Sequence, residues 1–236
     1  MVNFWVGFAL LVASIAVLSQ CDSIVPGRLF HSGVFSTANV EVGSGVARSE
    51  SRTVGEFQSI HAEGSGTLDV EVNSAQPGWL LEITADDNLL GFITTAVTDG
   101  VLNVSSLASL NPKTELRLKI SVPALEAIHL EGANRLNLNI DSPADFDLHI
   151  EGAGRVKATG KIGRLGLHTE GAGTIDAAAL VAREVEVYIE GAGKASVHAT
   201  ESLNAQIEGA GVVTYSGEPK IVEKKIEGIG RIGKAE

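Results

Sequence analysis

Three successive repeats place a histidine two residues before a glutamate: IHLEG at 128–132, LHIEG at 148–152 and LHTEG at 167–171. An imidazole nitrogen beside a carboxylate oxygen is a donor set that suits Zn²⁺ or Cu²⁺. His129, His149, His168, Glu131, Glu151 and Glu170 are therefore candidate ligands for a divalent cation. Carboxylates alone on neighbouring repeats could also hold a hard cation. The plainer alternative is that all six are solvated residues of an open face. In that case protonation below about pH 6.5 would let the histidines offset the acids beside them. Arg135, Arg155, Lys194 and Arg231 each lie four residues beyond a glutamate of the series and could lean back on it. Exposed ion pairs of that kind are worth ~0–1 kcal/mol.

Catalytic chemistry finds less support. Asp147, Glu151 and Glu170 could serve a glycan-cleaving site, with Trp79, Phe92, Tyr188 or Tyr215 as stacking rings. Two acids at a workable separation on a strand face are common by chance. Trp79 and Phe92 sit among apolar neighbours and read as core or end-cap residues. No Ser/His/Asp arrangement stands out, so no catalytic residue is assigned.

The elements that carry the glutamates repeat. Glu131, Glu151, Glu170, Glu190, Glu208 and Glu227 follow one another at intervals of 20, 19, 20, 18 and 19 residues, and Glu63 is an earlier copy. A near-constant period of this size marks a solenoid. Alternating apolar residues precede each glutamate, as in Phe146, Leu148 and Ile150, and resume after it, as in Val156 and Ala158. Alternation places them on one side of a strand. The sequence thus predicts an all-β fold, a single-stranded parallel β-helix with rungs of about 19 residues and an irregular first part.

In such a coil the recurring Gly-Ala-Gly is the corner: Gly152 and Gly154, Gly171 and Gly173, Gly191 and Gly193, Gly209 and Gly211. Glycine permits positive φ and close backbone approach, and the alanine between is expected to tuck inward. A dinucleotide loop is a poor alternative, because no strand–loop–helix unit surrounds the motif and it recurs in rung after rung. The Asp spacing of calcium-binding nonapeptide repeats is missing too.

If the rungs are in register, the glutamates form a column of like charge, which costs stability unless offset. A second column two residues earlier reads His61, His129, His149, His168, Tyr188, Gln206, Lys225. Before the regular repeat, residues 57–72, 80–84, 101–105 and 116–122 read as strands, with turns at 86–88, 99–100 and 111–112. The 68 residues from Glu63 to Glu131 would fit a few longer rungs of one continuous solenoid.

The chain of 236 residues has a net charge of −11, which argues against a nucleic-acid partner. Phe4 to Leu18 is almost wholly apolar and is followed by LSQC. The run has the length of a signal-peptide core and is short for a membrane span. A leader ending in Leu-x-x-Cys resembles a bacterial lipoprotein signal, in which the peptidase cuts before the cysteine and the sulfur carries the lipid. Cys21, the one cysteine, is the expected lipidation site. Gln20 in place of a small residue, and MVNFW without Lys or Arg, depart from that pattern, and a plain secretory signal or an uncleaved anchor are the alternatives. Residues 1–21 are expected to be the signal, 22–42 a tether and 43–233 the folded domain.

GSG at 43–45, EFQSIHAEGSG at 56–66, ADDNLL at 85–90, VPALEAIHLEGA at 122–133, the GAG corners and GAGVVTYSGEPK at 209–220 together resemble one family. It is the bacterial envelope family of the putative auto-transporter adhesin, head GIN domain. The resemblance implies a β-helix-like fold, secretion or lipid anchoring, and no established enzymatic activity. Family members commonly carry Ser before the corner and Asp after it. Here Glu stands before it, and Arg135, Arg155, Thr174, Lys194, Val212 or Arg231 after it. The expectation is a non-enzymatic binding, adhesion or surface-scaffold protein, held to the membrane by its lipid and facing the periplasm or the cell exterior. Its partner would be an envelope glycan, a protein or a second copy of itself. A metal-binding envelope protein and a carbohydrate-active β-helix enzyme are the alternatives.

Overall fold

The computed structural model describes residues 40–235. Cys21, the apolar leader and most of the expected tether lie outside them. Among the described residues no helix is long and apolar enough to cross a membrane. The fold opens with β1 (Val40–Val42), inside the stretch expected to be tether. Then come β2 (Ala47–Arg52), β3 (Ser59–Asn73), β4 (Leu80–Asp86), a 3-10 turn at Leu90–Phe92, β5 (Ile93–Thr98) and β6 (Val101–Ser106). They are followed by β7 (Ser109–Asn111), β8 (Arg117–Val122), β9 (Ala127–Asp141) and β10 (Phe146–Gly152). Next are β11 (Arg155–Gly171), β12 (Thr174–Gly191) and β13 (Lys194–Gly209), and last β14 (Val212–Ser216), β15 (Ile221–Gly228) and β16 (Arg231–Lys234).

The expected parallel β-helix is present. β11, β12 and β13 each begin just past one glycine corner and end at the next, so each is one full turn. They stack in parallel, with a second bend where the register shifts, between Lys157 and Thr159 and again between Ala177 and Val181. Alternation fills the inside. Phe146, Leu148 and Ile150 lie beneath Leu165, Leu167 and Thr169, then Val185, Val187 and Ile189, then Leu203, Ala205 and Ile207, and all are buried. The opposite wall is built the same way from Leu136, Leu138 and Ile140, Val156 and Ala158, Ile175 and Ala177, and Ala195, Val197 and Ala199.

The two glycines of each corner answer different constraints. The first one, from Gly64 to Gly228, has φ between 98° and 124°, a region that L side chains rarely enter. The second, as at Gly154, faces the core: an added Cβ would lie 2.7 Å from Ile150 Cγ2, and the same distance separates Gly173 from Thr169 Cγ2. The alanine between them does not tuck inward. Ala153, Ala172, Ala192 and Ala210 are exposed, and the second glycine is the buried residue. The corner stacks a backbone carbonyl on the next backbone amide, Ala153 N to Gly132 O at 2.9 Å and Ala172 N to Gly152 O at 2.8 Å. Glycine fills the inner position from Gly154 onward, whereas in the β9 rung buried Asn134 fills it, its Nδ2 donating to Glu131 O at 2.8 Å.

The irregular first part does not consist of longer rungs. Glu63 lies directly beside Glu131, because β3 pairs with β9 over its whole length. The residues between them leave the coil and come back to the other edge of β3. There β6 continues one half of the rung and β8 the other, both in parallel. β4 then pairs antiparallel with β8, β2 with β4, and β5 with β6. The result is an antiparallel lid over the first rung.

The lid is tied by a buried carboxylate. Asp86 accepts backbone N–H bonds from Gly45 (2.6 Å), Lys113 (2.9 Å) and Thr114 (3.1 Å). Asn88 accepts from Ser44 N at 2.8 Å and donates to Val42 O at 2.9 Å. An added Cβ at Gly43 would collide with the Asp86 carboxylate. GSG at 43–45 and ADDNLL at 85–90 are thus two halves of one joint. At the far end β15 pairs with β13 but is exposed along its length. There Lys224 takes the register position of Ala205 and ends the apolar stack, its Nζ lying 4.8 Å from the Tyr215 ring centroid.

Candidate functional site

Strand register alone builds the outward face in front of the corners. Glu63, Glu131, Glu151, Glu170, Glu190, Glu208 and Glu227 pair rung to rung without a break. Two residues earlier His61, His129, His149, His168, Tyr188, Gln206 and Lys225 do the same. Neighbouring strands stand ~4.8 Å apart, so the rings touch: His61–His129 and His149–His168 are stacked, whereas His129–His149 and His168–Tyr188 are tilted. Centroids are 4.8 Å apart for His61 and His129, 4.5 Å for His129 and His149, 4.4 Å for His149 and His168, and 4.8 Å for His168 and Tyr188.

Each glutamate of the histidine stretch reaches two imidazoles, its own and that of the rung before. Glu131 Oε1 lies 2.9 Å from His61 Nε2 and 3.9 Å from His129 Nε2. Glu151 Oε1 lies 3.2 Å from His129 and 3.5 Å from His149. Glu170 Oε1 lies 3.8 Å from His149 and 3.1 Å from His168. His61 and His168 donate hydrogen bonds to these carboxylates. The Nε2 atoms of His129 and His149 are shielded from water and have no hydrogen-bond partner. Burial, and next the charges of His168 and His129, push the His149 pKa below the ordinary imidazole value, against the pull of Glu151 and Glu170. Further along, the Tyr188 phenol is pushed up by a hydrogen bond to Glu208. Lys225 Nζ pairs with Glu227 at 2.7 Å.

The six residues predicted as ligands therefore come together, and His61 joins them. It lies 68 residues before His129 in the chain, yet the two are adjacent in space. Its spacing to Glu63 matches that of the other pairs, which was the available signal. The basic residues beyond the corners play a different part from the one expected. Among the described residues no ion pair joins Arg135, Arg155, Lys194 or Arg231 to the glutamate column, because the corner turns them onto another face. The histidines take that role.

The acids weighed for catalysis do not assemble into a cleft. Asp147 pairs with Arg164 at 3.2 Å, and Glu151 and Glu170 belong to the histidine face. A groove over β3, β8, β9 and β11 contains Asp69 and Glu71. These two project from one strand, and Asp69 is held by Arg117 (2.6 Å) and Asn137 (2.7 Å). Trp79 packs against the core and donates to Phe57 O at 3.0 Å.

The family model described as putative auto-transporter adhesin, head GIN domain, matches residues 56–219. The chain belongs to this family. Solved structures share the fold at low identity. A putative adhesin from Bacteroides fragilis is 23% identical, with a TM-score of 0.64 over 83% of this chain and 100% of that one. A putative adhesin from Parabacteroides merdae is 20% identical, with a TM-score of 0.55 over 84% and 100%. A protein from Parabacteroides distasonis titled a putative lipid binding protein is 21% identical, with a TM-score of 0.51 over 84% and 100%. No protein with a curated description matches the chain.

Proposed function

We propose that this head GIN protein is an exported, non-enzymatic binding protein of the bacterial cell envelope. It is anchored by a lipid on Cys21 and engages its partner through a flat solenoid face. The observation that carries this reading is the unbroken register of the outward columns over seven rungs. A solenoid holds side chains at a fixed repeat on a rigid surface, which suits an extended partner such as an envelope glycan or the surface of another protein. The adhesin titles of the fold relatives support the same reading. The acidic balance speaks against nucleic acid. The leader up to Gln20 would be removed on export, leaving Cys21 as the lipid-bearing first residue, and the segment from 22 to the start of β1 would serve as a spacer above the membrane.

Two measurements test this. The full chain, expressed with its leader in a bacterial host fed labelled fatty acid, should carry the label and fractionate with membranes, and Cys21→Ala should lose the label. Equal labelling of both would remove the lipid anchor. Retention of one envelope fraction by the immobilised protein should saturate and should fall when Glu151 and Glu170 are replaced by Gln. Retention of no fraction would overturn the binding reading.

A further inference from the structure

The histidine stretch of the outward face is distinct from the rest. Four imidazoles occupy four consecutive rungs, and three carboxylate oxygens lie between them. They form three overlapping groups, each of two histidines and one glutamate: His61, His129 and Glu131; His129, His149 and Glu151; His149, His168 and Glu170. Within each group the ligand atoms lie within 4.8 Å of one another. A tetrahedral Zn²⁺ with bonds of about 2.0–2.1 Å needs donor atoms roughly 3.4 Å apart. The six Nε2–Oε1 distances run from 2.9 to 3.9 Å and straddle that value. The donor set, two imidazoles and a carboxylate, is one that zinc accepts and that Ca²⁺ and Mg²⁺ do not favour.

We infer that this stretch is a zinc ladder that takes two ions per chain, one on His61, His129 and Glu131 and the other on His149, His168 and Glu170. Two features of the geometry set the number. The middle group shares His129 with the first and His149 with the last, so filling all three would need one Nε2 atom to bind two ions. Alternate filling uses every histidine once and leaves Glu151 spare. It also separates the ions by two rungs, ~10 Å, where adjacent groups would place them ~5 Å apart. The water-shielded, unbonded Nε2 atoms of His129 and His149 each gain a partner in this arrangement. Three protein ligands leave one position of each ion open to solvent or to a donor from a partner.

This goes beyond the binding reading and stands or falls separately from it, since bound metal is counted without any partner. The test is equilibrium dialysis of the detergent-purified full chain against Zn²⁺, with metal read by elemental analysis. About two ions per chain are expected at saturation. Glu131→Gln and Glu170→Gln should each leave about one ion, whereas Glu151→Gln should still bind about two. These are half-exposed or exposed side chains, and an unchanged thermal melt without metal checks that each variant is folded. Three results would each overturn the inference. One is Zn²⁺ uptake no greater than that of a chain with all four histidines replaced by Gln. Another is preference for Ca²⁺ over Zn²⁺. The third is loss of an ion on Glu151→Gln, with none lost on the other two substitutions.

Discussion

Thr169 occupies the position filled by Ile150 below it and Ile189 above it, and it is buried. Its hydroxyl has no hydrogen-bond partner. An unpaired buried hydroxyl costs about 1–3 kcal/mol, and valine has nearly the same shape. Thr169→Val should therefore raise stability by roughly 1 kcal/mol, read as a higher denaturant midpoint with an unchanged slope. Gly154→Ala should do the opposite. Its methyl would press on Ile150 Cγ2, and overpacking of a filled core costs about 1–3 kcal/mol. Ala153→Ser, one residue away and exposed, should be neutral. Equal effects at 153 and 154 would mean that the inner side of the corner is misassigned. Asp86 gives a pH dependence. Burial alone would raise its pKa, but the backbone N–H bonds from Thr114, Gly45 and Lys113 together outweigh it and set it below the ordinary value of 3.8. The group binds fewer protons folded than unfolded, so its contribution is complete above pH ~4 and is lost as pH falls through the lowered value. Asp86→Asn should flatten the acid limb of the stability curve, and it should lower the melting temperature most at neutral pH.

Among the elements, β15 pairs along one edge only and is exposed throughout, whereas β12 is paired on both sides over buried residues. Amide exchange should be fast in β15 and slow in β12, since local opening follows buried contacts. Comparable protection would indicate that a further layer covers β15 in solution. The regular rungs were legible in the sequence because their register follows from a constant interval: once Glu131, Glu151 and Glu170 are aligned, every inward residue is fixed. The lid was not. Alternation predicts that β4, β6 and β8 are strands, but it does not say whether a strand runs parallel or antiparallel, or which edge of β3 it joins. His61 stood in the predicted column but was left out of the ligand set, since the 68 residues before His129 read as further rungs between them, whereas the two are direct neighbours. Asp86 looked like a turn residue because a buried acid satisfied by backbone amides leaves no mark on periodicity.

At the scale of the whole molecule, the net charge of −11 means that any cationic partner would be drawn in over a distance set by salt. Retention of such a partner should weaken between 0.05 and 0.5 M salt, as the screening length shrinks below about 10 Å. Retention indifferent to salt would point to an apolar or hydrogen-bonded interface. The place of β3 in the stack also bears on how the chain acquires its shape. Both of its edges are filled by segments made later, β6 and β8 on one side and β9 on the other. A chain that emerges amino end first cannot complete that rung until residues beyond 140 are available. By contrast, each turn from β10 onward finds its neighbour about 19 residues away, a short loop to close. Folding should then start in the carboxy-terminal turns and proceed toward the lid, against the direction of synthesis. A substitution such as Val187→Ala should slow refolding, whereas Ile83→Ala in the lid should mainly speed unfolding.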